Sequence, residues 1–561
     1  MLLLGVLSYQ FFPFGQAVVG GYALPLSDSW LELFANTASS YQHIGLGLAA
    51  PSDPFNWVLL AIGTITFFAP NLAFSWLLIL AKPLAFFGAW RLLSTITPRN
   101  SLRLILACCY VFWPAFSQAQ NEANFPAVIF AVVLPWLVFC LVRFAKVGIS
   151  ATVRSSAQGW SWLAISALLF AVCLVSSPSS IALLTLIYLV FIVLLGKRFI
   201  LGLFVLVPAI VAIGPYFVYQ LFSNQNVLFV LADPTLALPN QQQSLMSAIF
   251  GTDLIFSWFA IALVGLATIT LLSRSRKILG LWLVVLSTLG NTWLVASLAF
   301  PAGGIASINT ALVDEVYLST SASSMFLILV VLAILAFWLD GLTRVNIRRI
   351  SLGLVAAGVA VPLMVGSLLT PSNLGFADSR NLPAIFTAEA KAGSQLRMLI
   401  ITGTAEQSFR AEIVQSGGLK LDAVSTAYRL SPVNLSSDYP GKEQLAKLVA
   451  NLVSANGKSL NADLQNAGVG FILVPASSSN GDIQVALNTS AELDQVGTTE
   501  YGQLWRVISP KEITTDRDLS YWSITKAIQL AVIFGYILLA LPTSRGRKKR
   551  ISNELIEEEI E

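Results

Sequence analysis

Few residues in this chain have the type and spacing to do chemistry. One stretch without a single Lys or Arg runs from Gly21 to Pro54 and holds Asp28, Trp30, Glu32, His43, Gly45 and Gly47. Asp28 and Glu32 stand four apart, so on a helix both carboxylates face one way, next to Trp30. A carboxylate so placed can act as a general base toward an acceptor hydroxyl. The same residues also read as an ordinary helix start, with Ser27-Asp28 capping and Glu32 in the first turn. His43, the only histidine, lies beside two glycines that permit close backbone approach. It suits phosphate binding or proton transfer, or a structural role.

Lys82, in Leu80-Ala81-Lys82-Pro83, lies inside a long apolar run. An ionisable group inside a membrane is costly enough to mark function by default. Its expected partners are Asp28, Glu32 or a lipid phosphate; the alternative is a carbonyl freed by Pro83. Glu122, in Gln120-Asn121-Glu122-Ala123-Asn124, joins Asp233, Asp253 and Asp314-Glu315 in other stretches free of basic residues. Together they make an acidic mouth suited to a polar sugar or a divalent cation, the only cofactor the sequence suggests. Asp516-Arg517-Asp518 has the form of a DxD string but reads as a solvated approach to the last apolar run. Walker, dinucleotide, HExxH and GxSxG motifs are missing.

The elements that must position these residues are membrane helices. Of 561 residues, 56% are hydrophobic and 11% charged, which excludes a soluble enzyme. Apolar runs of spanning length fall near 2–20, 72–94, 102–118, 125–145, 160–176, 178–196, 199–220, 252–272, 278–299, 322–341, 350–370 and 522–542. That predicts twelve spans in a polytopic α-helical membrane protein. The shorter run 55–69, bounded by Pro54 and Pro70, is expected to be a re-entrant helix.

Charge sets the sidedness. Basic residues cluster at Arg91/Arg99/Arg103, Arg143/Lys146/Arg154, Lys197/Arg198, Arg274/Arg276/Lys277, Arg344/Arg348/Arg349 and Arg545–Arg550, and each cluster marks a cytosolic face. The net charge of +4 is therefore a topology signal, and no nucleic-acid partner is expected. Both termini fall on the cytosolic side of the plasma membrane. Cys108, Cys109, Cys140 and Cys173 all lie in apolar runs and read as small core hydrophobes. Met1-Leu2-Leu3-Leu4 lacks the basic start of a cleavable signal peptide.

Four regions follow: a polytopic membrane domain, 1–371, with the long first outer loop 21–54 and re-entrant helix 55–69; an extracytoplasmic α/β or α+β domain, 372–520; a final transmembrane helix, 521–543; and a basic-then-acidic cytosolic tail, 544–561. In the outer domain, strands are expected at Leu396–Thr402, Val469–Val474 and Leu504–Ile508, and helices at Lys442–Ser454, Asn461–Ala467 and Ile483–Asn488.

The order of span, long acidic outer loop, Gly45-x-Gly47, short Pro-bounded helix and a second span carrying Lys82 resembles the polytopic GT-C superfamily and its YfhO-like relatives. Ala467-Gly-Val-Gly-Phe-Ile-Leu-Val474 and Val496 to Val507 are similar to the outer domain of large actinobacterial membrane glycosyltransferases. The resemblance covers most of the chain as a layout. It implies a membrane enzyme of cell-envelope biogenesis that moves a sugar from a polyprenyl-phosphate donor to a glycan or lipid acceptor. The first-loop base would be Asp28 first and Glu32 second. His43, Gly45, Gly47, Lys82, Trp30 and Glu122 would bind substrate. The paired acidic motif of GT-C enzymes is not cleanly present, and no family-2 glycosyltransferase domain stands before the first span. Two alternatives follow: a non-catalytic membrane partner of a separate cytosolic family-2 glycosyltransferase, and a transporter or flippase of lipid-linked sugar.

Overall fold

The computed structural model describes residues 17–19, 24–39, 51–149, 156–222, 233–234, 263–273, 276–299, 321–342, 346, 353, 355–369, 374–377, 382–391, 396–403, 409–414, 420–422, 442–454, 460–476, 481–512 and 520–541. The apolar runs form helices: α1 (Trp30–Ala38), α2 (Asn56–Ile65), α3 (Pro70–Leu93), α4 (Asn100–Val111), α5 (Pro114–Asn121), α6 (Phe125–Ile149), α7 (Ser156–Ser176), α8 (Ile181–Leu195), α9 (Val207–Phe222), α10 (Arg276–Ala299), α11 (Ser321–Gly341) and α12 (Val361–Leu369). Among the described residues, five helical stretches are long and apolar enough to cross a membrane: 70–93, 125–145, 159–176, 178–195 and 322–341. Shorter apolar helices occupy the expected spans at 199–220, 278–299, 350–370 and 522–542.

Two expected spans take a different form. Pro114 pushes the preceding Trp113 into extended backbone, with ψ 136°, so the span expected at 102–118 divides into α4 and α5, inclined by 48°. If the bent pair counts as one span, six are present among the described residues. At the other site, Ala17–Val19 forms strand β1, which pairs antiparallel with β2 (Gly375–Ala377), so a helix expected over 2–20 does not include Ala17. The β-branched pair Val18-Val19 suits the strand.

Helix α6 packs between α3 and α7. Close approach to α3 depends on Gly88, where an added Cβ would stand 2.7 Å from the Trp136 indole nitrogen. That indole donates to the Leu84 carbonyl at 3.1 Å. Buried polar groups close the remaining gaps: Tyr110 Oη donates to Ala131 O at 2.7 Å, and Trp113 Nε1 to Ser324 Oγ at 2.9 Å. All four cysteines are free.

After α12 come α13 (Ala384–Lys391), β3 (Arg397–Gly403), β4 (Phe409–Val414), α14 (Lys442–Ser454), α15 (Asn461–Ala467), β5 (Val469–Val474), α16 (Gly481–Asn488), β6 (Leu493–Thr499), β7 (Gly502–Val507) and the final helix α17 (Ser520–Ala540). The sheet order is β4-β3-β5-β7-β6, with β3 and β5 parallel and the other neighbours antiparallel. Alternation along β3 sends Leu399 and Ile401 to one face, under α14, α15 and α16, and Met398 to the other, under Phe386 of α13. Every residue of β5 is buried, as a central strand covered on both faces requires.

Candidate functional site

The site begins with the cap of α1. Ser29 is extended, and its hydroxyl accepts from the Glu32 amide at 3.2 Å. A helix does start here, but its cap is Ser29 and not Ser27-Asp28. Asp28 therefore precedes the helix while Glu32 lies in its first turn. Leu33 and Thr37, four apart, form the buried face, and Trp30 is half-buried against the same cluster. The Trp30 indole donates to Thr64 Oγ1 of α2 at 2.9 Å, and its ring stacks on Phe34 and lies 5.1 Å from Phe67. Asn71, next to the start of α3, accepts from the Leu26 amide at 2.5 Å and reaches Asp28 Oδ1 at 3.5 Å.

A distant tripeptide completes the arrangement. Lys420-Leu421-Asp422, between β4 and α14, lies along the chain just before α1. Its Leu421 amide donates to Pro25 O at 2.9 Å. Leu421 enters a buried cluster with Leu26, Leu33, Phe55 and Leu59. Asp422 is wholly buried and accepts from the Ser27 amide at 3.0 Å, the Ser27 hydroxyl at 2.5 Å and Asn36 Nδ2 at 2.6 Å. Its own carbonyl accepts from Asn56 Nδ2 at 2.7 Å. Burial raises the Asp422 carboxyl above the ordinary range; hydrogen bonds from Asn36 and Ser27 and the nearby Lys420 offset this only in part.

Lys420 then reaches both candidate carboxylates. Its ammonium lies 3.2 Å from Asp28 Oδ2, and 2.9 and 3.1 Å from the two oxygens of Glu32. The lysine side chain is 7% exposed, against 59% for Asp28 and 38% for Glu32. Burial alone would lower the Lys420 value, but the charges of Glu32 and Asp28, and the hydrogen bonds to both, raise it. The carboxylates thus stand at the solvent border over a buried, hydrogen-bonded support.

The last helix holds the same loop from another side. Lys526 of α17 donates to Thr37 O at 3.0 Å and Ser52 Oγ at 2.7 Å, and lies over the Trp57 ring. Ser52 Oγ also donates to Thr37 O, and Asp53 Oδ1 accepts from the Phe55 amide at the start of α2.

Of the other residues singled out from the sequence, Lys82, Glu122 and Asp233 are described and do not join this group. Lys82 is buried in α3, donates to Ser367 Oγ of α12 at 3.0 Å and lies over the Phe112 ring at 5.6 Å. The expected pairing with Asp28, Glu32 or a Pro83-freed carbonyl gives way to a hydroxyl, because α12 brings Ser367 to the ammonium. Glu122 caps the C-terminal end of α5 and accepts from Gln118 Nε2 at 3.0 Å. Asp233 is buried and accepts from Ser177 and Ser179, the latter at 3.2 Å. His43, Gly45, Gly47, Asp253, Asp314, Glu315 and the Asp516-Arg517-Asp518 string lie outside the described residues.

Sequence reasoning missed Lys420, Asp422, Asn36, Asn71 and Lys526 as partners of this loop. Only Lys526 carried a signal, as a charge within the last apolar run. Among the described residues no group of three or more His, Cys, Asp or Glu is placed to hold a metal ion. A divalent cation at Asp28 and Glu32 would first have to displace the Lys420 ammonium.

No protein-family model matches the chain, and no curated protein does. Among solved structures, it is similar to the cryo-EM structure of arabinofuranosyltransferase AftD from Mycobacteria. The TM-score is 0.55 and the identity 13%, over 91% of this chain and 40% of that one. A mutant of the same enzyme is similar at TM-score 0.51 and 14% identity, over 91% of this chain and 41% of that one. The chain thus spans about two fifths of the length of the structures it matches. At this identity the likeness is one of fold.

Proposed function

We propose that this chain acts as a GT-C-type membrane glycosyltransferase, moving a sugar from a polyprenyl-phosphate donor to a cell-envelope glycan or lipid acceptor on the outer face. The observation that carries this reading is the pair Asp28 and Glu32, half-exposed on a rigidly supported first loop. The fold likeness to an arabinofuranosyltransferase supports it. Asp28 takes the proton of the acceptor hydroxyl as that oxygen attacks the anomeric carbon, and the bond to the lipid phosphate breaks. Glu32 shares the Lys420 ammonium and holds its charge beside the base. Trp30 offers a ring for a sugar face or lipid tail. Lys82 and His43 are assigned to the donor phosphate; for Lys82 this requires a phosphate oxygen to replace the Ser367 hydroxyl.

The same reading takes the chain as a twelve-span protein with cytosolic termini and residues 372–520 outside. The 10-residue helix α2 is re-entrant: at 1.5 Å per residue it reaches only about 15 Å, half of the hydrocarbon thickness. Removal of a general base costs roughly 10²- to 10⁴-fold in rate. Membranes carrying Asp28→Asn at the wild-type level of chain should lose transfer by that factor. Unchanged transfer removes Asp28 as base.

A second reading rests on the Lys420 contact. An ammonium within 3.2 Å of both carboxylates competes for the lone pairs a base would use, as expected of a non-catalytic membrane partner for a separate family-2 glycosyltransferase. Co-purification with such an enzyme, together with full transfer by Asp28→Asn, selects it.

A further inference from the structure

Asp28 and Glu32 lie on different local structures, one before the cap of α1 and one within its first turn. Both oxygens within reach of a single ammonium are at most 3.2 Å from it, so the two carboxylates stand within about 6 Å of each other by geometry alone. Two carboxylates that close repel, and the ammonium between them offsets that repulsion and holds both at one point. The charged groups facing this pair among the described residues are Lys420 and, behind it, Asp422.

The arm that carries the cation is fixed independently of it. Leu421 is 3% exposed, Asp422 has no exposure, and four hydrogen bonds tie the two residues to Pro25, Ser27 and Asn36. An ordinary surface lysine would keep its ammonium in water. Here the lysine is the buried member of the trio and the carboxylates are the exposed ones.

We propose that Lys420 is a positioning residue, delivered by the outer domain, that aims Asp28 and Glu32 at one point. The inference rests on the glycosyl-transfer reading for its purpose, but the contact it describes is measurable without any transfer. The outer domain, and not the membrane helices, then sets whether the candidate base is available.

The experiment uses the full chain in membranes, with a water-soluble carbodiimide and peptide mapping by mass spectrometry. In the wild type, the reagent should join Lys420 Nζ to Glu32, and less often to Asp28, as an amide. With an added small amine at one fixed pH, the reagent labels the carboxylates that the ammonium leaves free. Labelling of Asp28 and Glu32 in the folded chain should rise severalfold in Lys420→Met, and Lys420→Arg should restore the wild-type pattern. Glycan transfer should lose kcat in Lys420→Met and recover it in Lys420→Arg. A purely structural lysine would lower the amount of folded chain without changing the labelling of what remains. Absence of the Lys420–Glu32 amide, or unchanged labelling in Lys420→Met, overturns the proposal. If the labelling changes while the wild type transfers no sugar, Lys420 still positions the two carboxylates and only the transferase reading falls.

Discussion

The buried Leu421 makes the docking of the 420–422 arm measurable. It is 3% exposed and packs with Leu26, Leu33, Phe55 and Leu59 beneath the first loop. Leu421→Ala deletes the buried side chain beyond Cβ, a change that costs about 2–5 kcal/mol in a packed interior. Taking about 3 kcal/mol, with a factor of ten for every 1.4, the open population of the arm rises roughly 100-fold. The Lys420–Leu421 bond is a trypsin site shielded by this docking, since the lysine side chain is 7% exposed. Cleavage of a transiently open state follows its population when closing is fast. Limited trypsin treatment of the full chain should therefore cut Leu421→Ala after Lys420 roughly 100-fold faster than wild type. Leu421→Met conserves volume and costs under about 1.5 kcal/mol, which is about a tenfold increase or less. Equal rates for Leu421→Ala and wild type would refute the view that this side chain holds the arm.

The pH dependence of the same contact follows from Asp422, whose carboxyl is raised by burial. The docked state then binds more protons than the undocked one between the ordinary carboxylate value and the raised one. Docking must strengthen as pH falls through the raised value and gain nothing further below the ordinary range. Hydrogen exchange of the Leu421 amide, corrected for its intrinsic pH dependence, should show greater protection at mildly acid than at neutral pH. In Asp422→Asn that difference should vanish; a slope of opposite sign counts against the assignment. At the other support, Lys526→Met removes the donor to Thr37 O and Ser52 Oγ. Leaving those acceptors buried without it should cost roughly 1–3 kcal/mol, read as a lower melting temperature in detergent, while Lys526→Arg recovers part of the loss.

How much of this was legible beforehand differs by interaction range. The α1 start was readable because Ser-x-x-Glu is a local signal, yet Ser27, Asp28 and Ser29 all qualify as caps and only the backbone of Ser29 decides between them. Pro114 was visible, but the bend it forces depends on Trp113 being driven out of the helical region. Central strand β5 announced itself as Val-Gly-Phe-Ile-Leu-Val, whereas edge strand β6, Leu-Asp-Gln-Val-Gly-Thr-Thr, has one buried residue and no apolar pattern. Lys82 stood out as a charge in an apolar run, but its partner is a serine 285 positions away. Lys420 and Asp28 are separated by 392 positions, and Lys-Leu-Asp is the composition of any solvated surface.

Those long-range contacts share a direction. The strand just before the first loop is met by β2, and the loop itself by Lys420-Leu421-Asp422 through Pro25 and Ser27, and by Lys526 through Thr37 and Ser52. All three partners come from beyond residue 370, while α2 and α3 contribute Thr64, Asn56 and Asn71 from the near side. A loop that served only to join two helices would need none of the distant partners, since a connector runs over the surface with its polar groups in water. Here Ser27, Thr37 and Ser52 of the loop are buried, with Asn56 and Asp422 against them, and Asp28 and Glu32 alone of its carboxylates reach the surface together. Buried polar groups held by hydrogen bonds favour one arrangement, because a shift leaves a donor or acceptor without its partner. The geometry of the loop's two exposed carboxylates therefore depends on the C-terminal third of the chain, through the 420–422 arm and α17.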